Sequence, residues 1–515
     1  MRRLKLAATG SVVAIMLAAC AGADPAESEK TFTAPEPALQ GFYDQRIDWQ
    51  SCSDNEGVLD VTDGKARDRK FECGSVQVPL DYEDPQGETI DLQVVQYAGA
   101  RGVTPLVYNP GGPGGSAISS LPSMVDYVFT EDLLQRYGIV AVDPRGVGLS
   151  APVQCLSDSE IDEVRSVTSE VTVESIRAES AELGQKCLDR SPDMAQHSDS
   201  MSAARDLDIV RAALGRDVLD YFGFSYGTFL GALYADNFPE NVGRFVLDGA
   251  MDPAADVDAV SEGQAKGFEA AAEHWLEEAS RAGRIPLPVD VDRAKADLRG
   301  WLDSLEDRPI PTSDPNRPLT KALATTALVS LLYDTDTYDL LSTGLTQAMR
   351  QFDGSMLLQI ADLYADRRPD GSYATNSFDA FNVVNSLDYK EVGSEGEWVA
   401  RAEQLRQDLP LLGGEFGLAS AMIEAWPVES RDTRKPVSGA GAPPILVVGV
   451  THDPATPYEW AQALAGQLES AHLLTVDGWK HCAYSRTAGD CVTSAVDQFL
   501  LDGELPADDL SCQLP

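Results

Sequence analysis

The residues with the most chemistry to offer are Gly223-Phe224-Ser225-Tyr226-Gly227. They follow a strand-like run, Val218 to Phe222, and precede a helix-like run from Thr228 to Ala235. A serine in G-x-S-x-G between strand and helix sits on a turn too sharp for bulky neighbours. Glycine two residues to either side relieves that crowding and leaves the hydroxyl exposed above the sheet. Ser225 therefore reads as a nucleophile. A serine hydroxyl attacks only when a base takes its proton and an acid orients that base.

In hydrolases built on this elbow the partners follow in the order Ser, Asp or Glu, His. The chain holds five histidines. His197 and His274 leave no room for an acid-bearing strand between serine and base. The run Pro444 to Val450 reads as a buried strand, and Thr451-His452-Asp453-Pro454-Ala455-Thr456-Pro457 follows it. Asp453 thus stands at a strand's carboxyl end, where an orienting carboxylate belongs. A second strand, His472 to Val476, runs into Asp477-Gly478-Trp479-Lys480-His481. His481 is the expected base; His472 begins a strand and reads as structural, and His452 reads as a loop residue beside the acid, with tuning of the site as the alternative.

An oxyanion hole needs backbone N–H donors aimed at the developing charge. Tyr226, directly after the nucleophile, supplies one. The strand-like run Thr104 to Asn109 leads into Pro110-Gly111-Gly112-Pro113-Gly114-Gly115-Ser116, and Gly112 or an adjacent residue is the expected second donor. No Gly-Lys-Ser/Thr or G-x-G-x-x-G pattern accompanies that loop, which weakens a phosphate-binding reading. Asp143-Pro144-Arg145-Gly146-Val147-Gly148-Leu149-Ser150 follows another strand and reads as a structural loop near the mouth of the site.

In this order the loops N-P-G-G-P-G-G-S and D-P-R-G-V-G-L-S, the elbow G-F-S-Y-G and the acid loop D-P-A-T-P resemble the α/β-hydrolase peptidases that include proline iminopeptidase. More closely, the chain resembles the exported tripeptidyl aminopeptidases of actinobacteria, from about Trp49 to Pro515. The resemblance implies a serine exopeptidase that removes short peptides from free N termini, and it carries nucleophile, acid and base to Ser225, Asp453 and His481. Two departures stand out. Asn109-Pro110 opens the glycine loop where proline iminopeptidases usually have histidine. Lys480 and Cys482 flank His481 where glycine is common, which bears on substrate preference.

The amino-terminal residues bound the compartment. Met1 to Lys5 is basic, Leu6 to Ala19 is apolar but too short to span a bilayer, and Leu17-Ala18-Ala19-Cys20 has the pattern of a bacterial lipobox. The expectation is a signal peptide over 1–19, lipidation of Cys20 and a flexible Ala/Pro/Glu/Ser-rich tether over 20–48; an ordinary secretory peptide cleaved nearby is the alternative. The product would sit on the outer face of the cytoplasmic membrane, held by its lipid alone, or be shed. In that oxidising setting seven cysteines remain beyond Cys20. Local spacing pairs Cys52 with Cys73, Cys155 with Cys187 and Cys491 with Cys512, leaving Cys482 free, although Cys482–Cys491 is also open. No C-x-x-C or H-E-x-x-H spacing occurs, so neither metal nor cofactor is expected.

A formal net charge of −42 makes nucleic acid an improbable partner and favours a strongly solvated surface. Length exceeds one hydrolase sheet. The expected architecture is an α/β-hydrolase fold, a mostly parallel sheet flanked by helices. The catalytic domain would be split into 49–253 and 442–515 around a helical lid at 254–441. Lid helices are expected over Glu262–Ala282, Ala322–Leu332 and Glu397–Leu409, where apolar residues recur every three or four positions. An aminopeptidase also needs carboxylates to hold the substrate ammonium. The lid's Glu262, Glu269 and Glu277 are candidates, each with the ordinary alternative of a solvent-facing helix residue. The chain thus reads as a monomeric serine exopeptidase acting on peptides with free N termini. A carboxylesterase or lipase with the same triad is the alternative, and a non-catalytic binding lipoprotein a third reading that the intact triad disfavours.

Overall fold

Apolar runs such as Ile445-Leu446-Val447-Val448-Gly449-Val450 mark strands covered on both faces. The computed structural model, which describes residues 30–68, 70–98, 103–167 and 171–515, assembles them into one ten-stranded sheet. The strands are β1 (Gln50–Ser51), β2 (Phe71–Pro79), β3 (Thr89–Tyr97), β4 (Thr104–Asn109), β5 (Tyr137–Val142), β6 (Leu219–Phe224), β7 (Val242–Asp248), β8 (Ile445–Val450), β9 (Ala471–Asp477) and β10 (Ser511–Gln513). Their spatial order is β1-β2-β3-β5-β4-β6-β7-β8-β9-β10. The pairings β1/β2, β2/β3 and β3/β5 are antiparallel, and every pairing from β5 through β4 to β10 is parallel.

Alternate residues of the central strands feed two core layers. Val107, Val140, Tyr221, Leu247 and Val447 enter one, while Leu106, Ile139, Phe222, Val246 and Leu446 enter the other. Helices cover both faces, and the α/β-hydrolase fold is the result. Among the described residues no helix is long and apolar enough to cross a membrane.

Between β7 and β8 the chain is helical. The helices Val257–Arg281, Lys321–Leu331 and Glu395–Asp408 stand within a few residues of the expected segments. This helical insertion packs against a second helical stretch that the sequence reading had placed inside 49–253. Helices Asp158–Ser166 and Val173–Arg190 pack on the insertion rather than on the sheet. Arg177 bonds Glu424 and Glu395 at 2.6 Å each, Arg367 bonds Asp162 at 2.7 Å, and the Cys155 N–H donates to Asp379 at 2.7 Å. The apolar faces of the two insertions complete one another, which neither could do alone.

The expected tether over 20–48 is corrected from residue 30 onward. Phe32, Leu39, Tyr43 and Ile47 are buried in the core, and the Tyr43 hydroxyl donates to Asp208 at 2.7 Å. An Ala/Pro-rich composition hid four apolar anchors spaced to reach the helix Ser200–Ala213 beneath them. Cys20 and the signal segment lie outside the described residues. Disulfides join Cys52 to Cys73, Cys155 to Cys187 and Cys491 to Cys512, and Cys482 is a free thiol.

Candidate active site

β6 ends at Phe224, the helix Tyr226–Asn237 begins at once, and Ser225 between them takes φ 54°, ψ −123°. That conformation costs a non-glycine residue about 1–3 kcal/mol and persists only where its surroundings enforce it. The enforcement is visible. The Ser225 N–H donates to the Asp248 carbonyl at 2.9 Å, while the Thr228 N–H and hydroxyl donate to the Ser225 carbonyl at 2.8 and 2.6 Å. Both flanking glycines are sterically required: a Cβ on Gly223 would lie 2.4 Å from the Gly227 carbonyl oxygen, and one on Gly227 2.7 Å from that of Asn109.

The acid and base expected from the sequence meet. His481 Nδ1 lies 2.9 Å from both carboxylate oxygens of Asp453, whose side chain is fully buried. Asp453 also accepts the N–H groups of Ala455 at 2.9 Å, Thr456 at 2.8 Å and Cys482 at 3.2 Å. Its orientation is therefore set by the backbone of its own loop and of the base loop. Burial pushes the His481 imidazole down, but the Asp453 carboxylate, with Cys482 beside it, more than offsets this and raises it well above the usual 6.5.

Asp248, at the end of β7, joins this loop to the elbow. Its carboxylate accepts the Ala483 N–H at 2.9 Å and the Tyr484 N–H at 2.7 Å. Its carbonyl takes the Ser225 N–H at 2.9 Å and the Cys482 thiol at 3.5 Å. Nucleophile and base loops thus converge on one residue, which no sequence motif singles out. Burial raises its carboxyl to about 6, helped by the nearby Asp453.

The glycine loop leans against the elbow. A Cβ on Gly111 would stand 2.9 Å from Ser225 Cβ, so only glycine admits that approach. The Gly111 N–H is taken by Asn109 Oδ1 at 2.9 Å, whereas the Gly112 N–H has no partner among the described residues. Asp143 anchors the loop's exit by accepting the Ser116 hydroxyl at 2.9 Å, the Ile118 N–H at 3.0 Å and the Leu149 N–H at 2.9 Å. It stands completely buried, its carboxyl raised by that burial to about 6.

The helical insertion packs on the loop of His481. The His481 N–H donates to the Tyr333 carbonyl at 2.7 Å, the Tyr333 ring meets the imidazole edge-on at 5.3 Å, and Lys480 pairs with Asp334 at 2.7 Å. Lys480, in a position where glycine was expected, is thus the side chain that ties the base loop to the lid. The three acids considered for the substrate amine are engaged elsewhere. Glu262 bonds Lys266 at 2.6 Å, Glu269 accepts the Leu411 and Leu412 N–H groups at 3.2 and 2.8 Å, and Glu277 lies 3.7 Å from Arg281. His472 sits in β9 with Nδ1 3.5 Å from Asp508, and His197 ends a short helix over Met194–His197; the acid–base pair includes neither. Among the described residues no group of His, Cys, Asp and Glu is arranged to hold a metal ion.

The model of the family described as TAP-like protein matches residues 412–512, the span that carries Asp453 and His481. Carboxylesterase B of Mycobacterium tuberculosis is 38% identical over 474 residues, covering 90% of this chain and 89% of that protein. Serine protease Hip1 of the same organism is 32% identical over 488 residues, covering 91% of each. The tripeptidyl aminopeptidase of Streptomyces lividans is 29% identical over 489 residues, covering 90% of this chain and 86% of that protein. Likeness over nine-tenths of the chain, on an α/β-hydrolase sheet, has one conclusion: the chain belongs to the TAP-like family of α/β-hydrolase serine hydrolases.

Proposed function

We propose that this hydrolase is an exported serine exopeptidase that releases short peptides, tripeptides in the first instance, from free N termini. The observation that carries the reading is the lid docked on the base, with Tyr333 and Asp334 holding the loop around His481. A helical insertion seated beside the triad is the kind of barrier that an exopeptidase needs against long amino-terminal extensions. Likeness to a tripeptidyl aminopeptidase and to a serine protease along nine-tenths of the chain supports the same substrate class.

The reaction is acyl transfer in two halves. His481, oriented by Asp453, takes the Ser225 proton as the oxygen attacks the carbonyl carbon. The Tyr226 and Gly112 N–H groups hold the oxyanion. His481 then protonates the departing amine, and water repeats the sequence on the acyl-enzyme. Cys20 would bear the lipid that keeps the enzyme at the membrane surface; Cys20→Ser should move the activity into the medium.

A second reading, a carboxylesterase, is favoured by two observations. The relative at 38% identity bears that name. The wall beside His481 is aromatic, with Phe268 and Tyr364 packed on Tyr333 at 5.1 and 6.2 Å between ring centres. One substrate set decides: free-amine mono-, di- and tripeptidyl amides, their N-acetylated forms, and short acyl esters. Cleavage of tripeptidyl amides that vanishes on acetylation upholds the exopeptidase. Fast ester cleavage indifferent to a free amine replaces it with the esterase. Ser225→Ala should abolish turnover on every member of the set.

A further inference from the structure

Trp479, two residues before His481, lies between two histidines. The His274 ring is 4.2 Å from the indole and inclined by 6°, and the His452 ring is 4.1 Å away and inclined by 10°. Two rings stacked on one indole at that distance must take opposite faces, so the three form a single column. Each member belongs to a different part of the site. His274 is on the lid helix Val257–Arg281, His452 immediately precedes the acid Asp453, and Trp479 is on the base loop. The backbone repeats the link, since the His452 N–H donates to the Gly478 carbonyl at 3.1 Å. Near-parallel stacking at about 4 Å is the geometry of a favourable aromatic pair.

We propose that Trp479 is a positioning residue for the triad, and that the His274–Trp479–His452 column registers the acid loop against the base loop and fixes both to the lid. The inference rests on Asp453 and His481 serving as acid and base, and not on whether the leaving group is an amine or an alcohol. The physical argument is one of lever arms. Asp453 follows His452 directly and His481 is two residues from Trp479, so a slip between the stacked rings is passed to the Asp453–His481 hydrogen bond with little chain to absorb it. Burial pushes the His274 imidazole below its usual 6.5, which keeps this member a neutral aromatic ring at neutral pH.

The test replaces Trp479 by Ala and by Phe, and separately His274 and His452 by Ala. Three quantities are measured on each: kcat and KM per titrated active site, with an ester and an amide; the rate of Ser225 labelling by a fluorophosphonate; and the melting temperature. Trp479→Ala should lower kcat and the labelling rate together by about ten- to a hundredfold, the penalty of a small misplacement of catalytic groups, with KM within about threefold. Trp479→Phe, which keeps a flat ring in the column, should recover most of the loss, and His274→Ala should reproduce part of it. A merely structural tryptophan would lower the melting temperature and the number of active sites but leave kcat per site unchanged, and that result overturns the proposal. Should Trp479→Ala fail to fold, the histidine variants decide: full kcat per site in both overturns it equally. The peptidase reading can fail on the substrate set while this result stands, because labelling by the fluorophosphonate needs no peptide.

Discussion

Asp248 permits a quantitative test because its carboxylate is fully buried and its hydrogen bonds come from backbone N–H groups. Replacing it by Asn removes the charge and keeps an oxygen that can accept from Ala483 and Tyr484. Burial raises the carboxyl from 3.8 to about 6, so holding it ionised in the folded protein costs about 3 kcal/mol at neutral pH. An acid raised on folding binds its proton longer in the folded than in the unfolded chain. The deficit is thus absent well below the unfolded value, grows as pH climbs, and is complete above the folded one. About 1.4 kcal/mol of it falls between pH 5 and pH 8. Urea unfolding with disulfides intact should therefore show Asp248→Asn gaining about 1.4 kcal/mol on the parent across that interval. Asp248→Ala, which leaves two buried N–H groups without an acceptor, should lie below the Asn variant by about 1–3 kcal/mol for each at every pH. A gap between parent and Asn variant that does not change with pH would refute the reasoning, and so would equal losses in the Asn and Ala variants.

Asp453→Asn should lower turnover by about ten-thousandfold, since the amide cannot hold His481 in the required tautomer. Because Asp453 is what lifts the imidazole against its own burial, the residual activity should have its acid limb at lower pH than the parent, read from kcat/KM against pH. Gly227→Ala should destabilise by more than about 2 kcal/mol and abolish activity, because its Cβ would stand 2.7 Å from the Asn109 carbonyl oxygen; a soluble, active variant would show that the elbow relaxes. Removing the Cys491–Cys512 bridge, which spans 21 residues, should cost about 3 kcal/mol of unfolding free energy by denaturant titration, with kcat per active site retained.

The parts of the site legible in the sequence are those whose chemistry is local. An elbow declares itself because Gly223 and Gly227 relieve clashes within a few residues of Ser225, and a glycine loop because Gly111 and Gly112 adopt φ of 103° and 118°. Asp453 and His481 were reachable from the order of strands alone, since a parallel sheet delivers the carboxyl ends of its strands to one edge. The error at 30–48 has the opposite cause. Composition averages over a segment, whereas anchoring needs only Phe32, Leu39, Tyr43 and Ile47 at suitable spacing.

What stayed hidden depends on residues remote in sequence becoming neighbours. Tyr333 shows no motif, yet its carbonyl fixes the His481 N–H. Asp248 ends a strand as many aspartates do, and only the packed structure shows its two ends gripping different catalytic loops. His274 and His452 were set aside because neither fits the base. That elimination was sound for proton transfer but could not reveal that both rings stack on Trp479. The same holds for the lid acids: helical periodicity could propose Glu269 for an ammonium, but not that Leu411 and Leu412 would occupy it with backbone N–H groups. A motif names the atoms that react. Their alignment rests on the helical insertion and the sheet packing against them from two sides, and the proposed mechanism depends on that seat as much as on the triad.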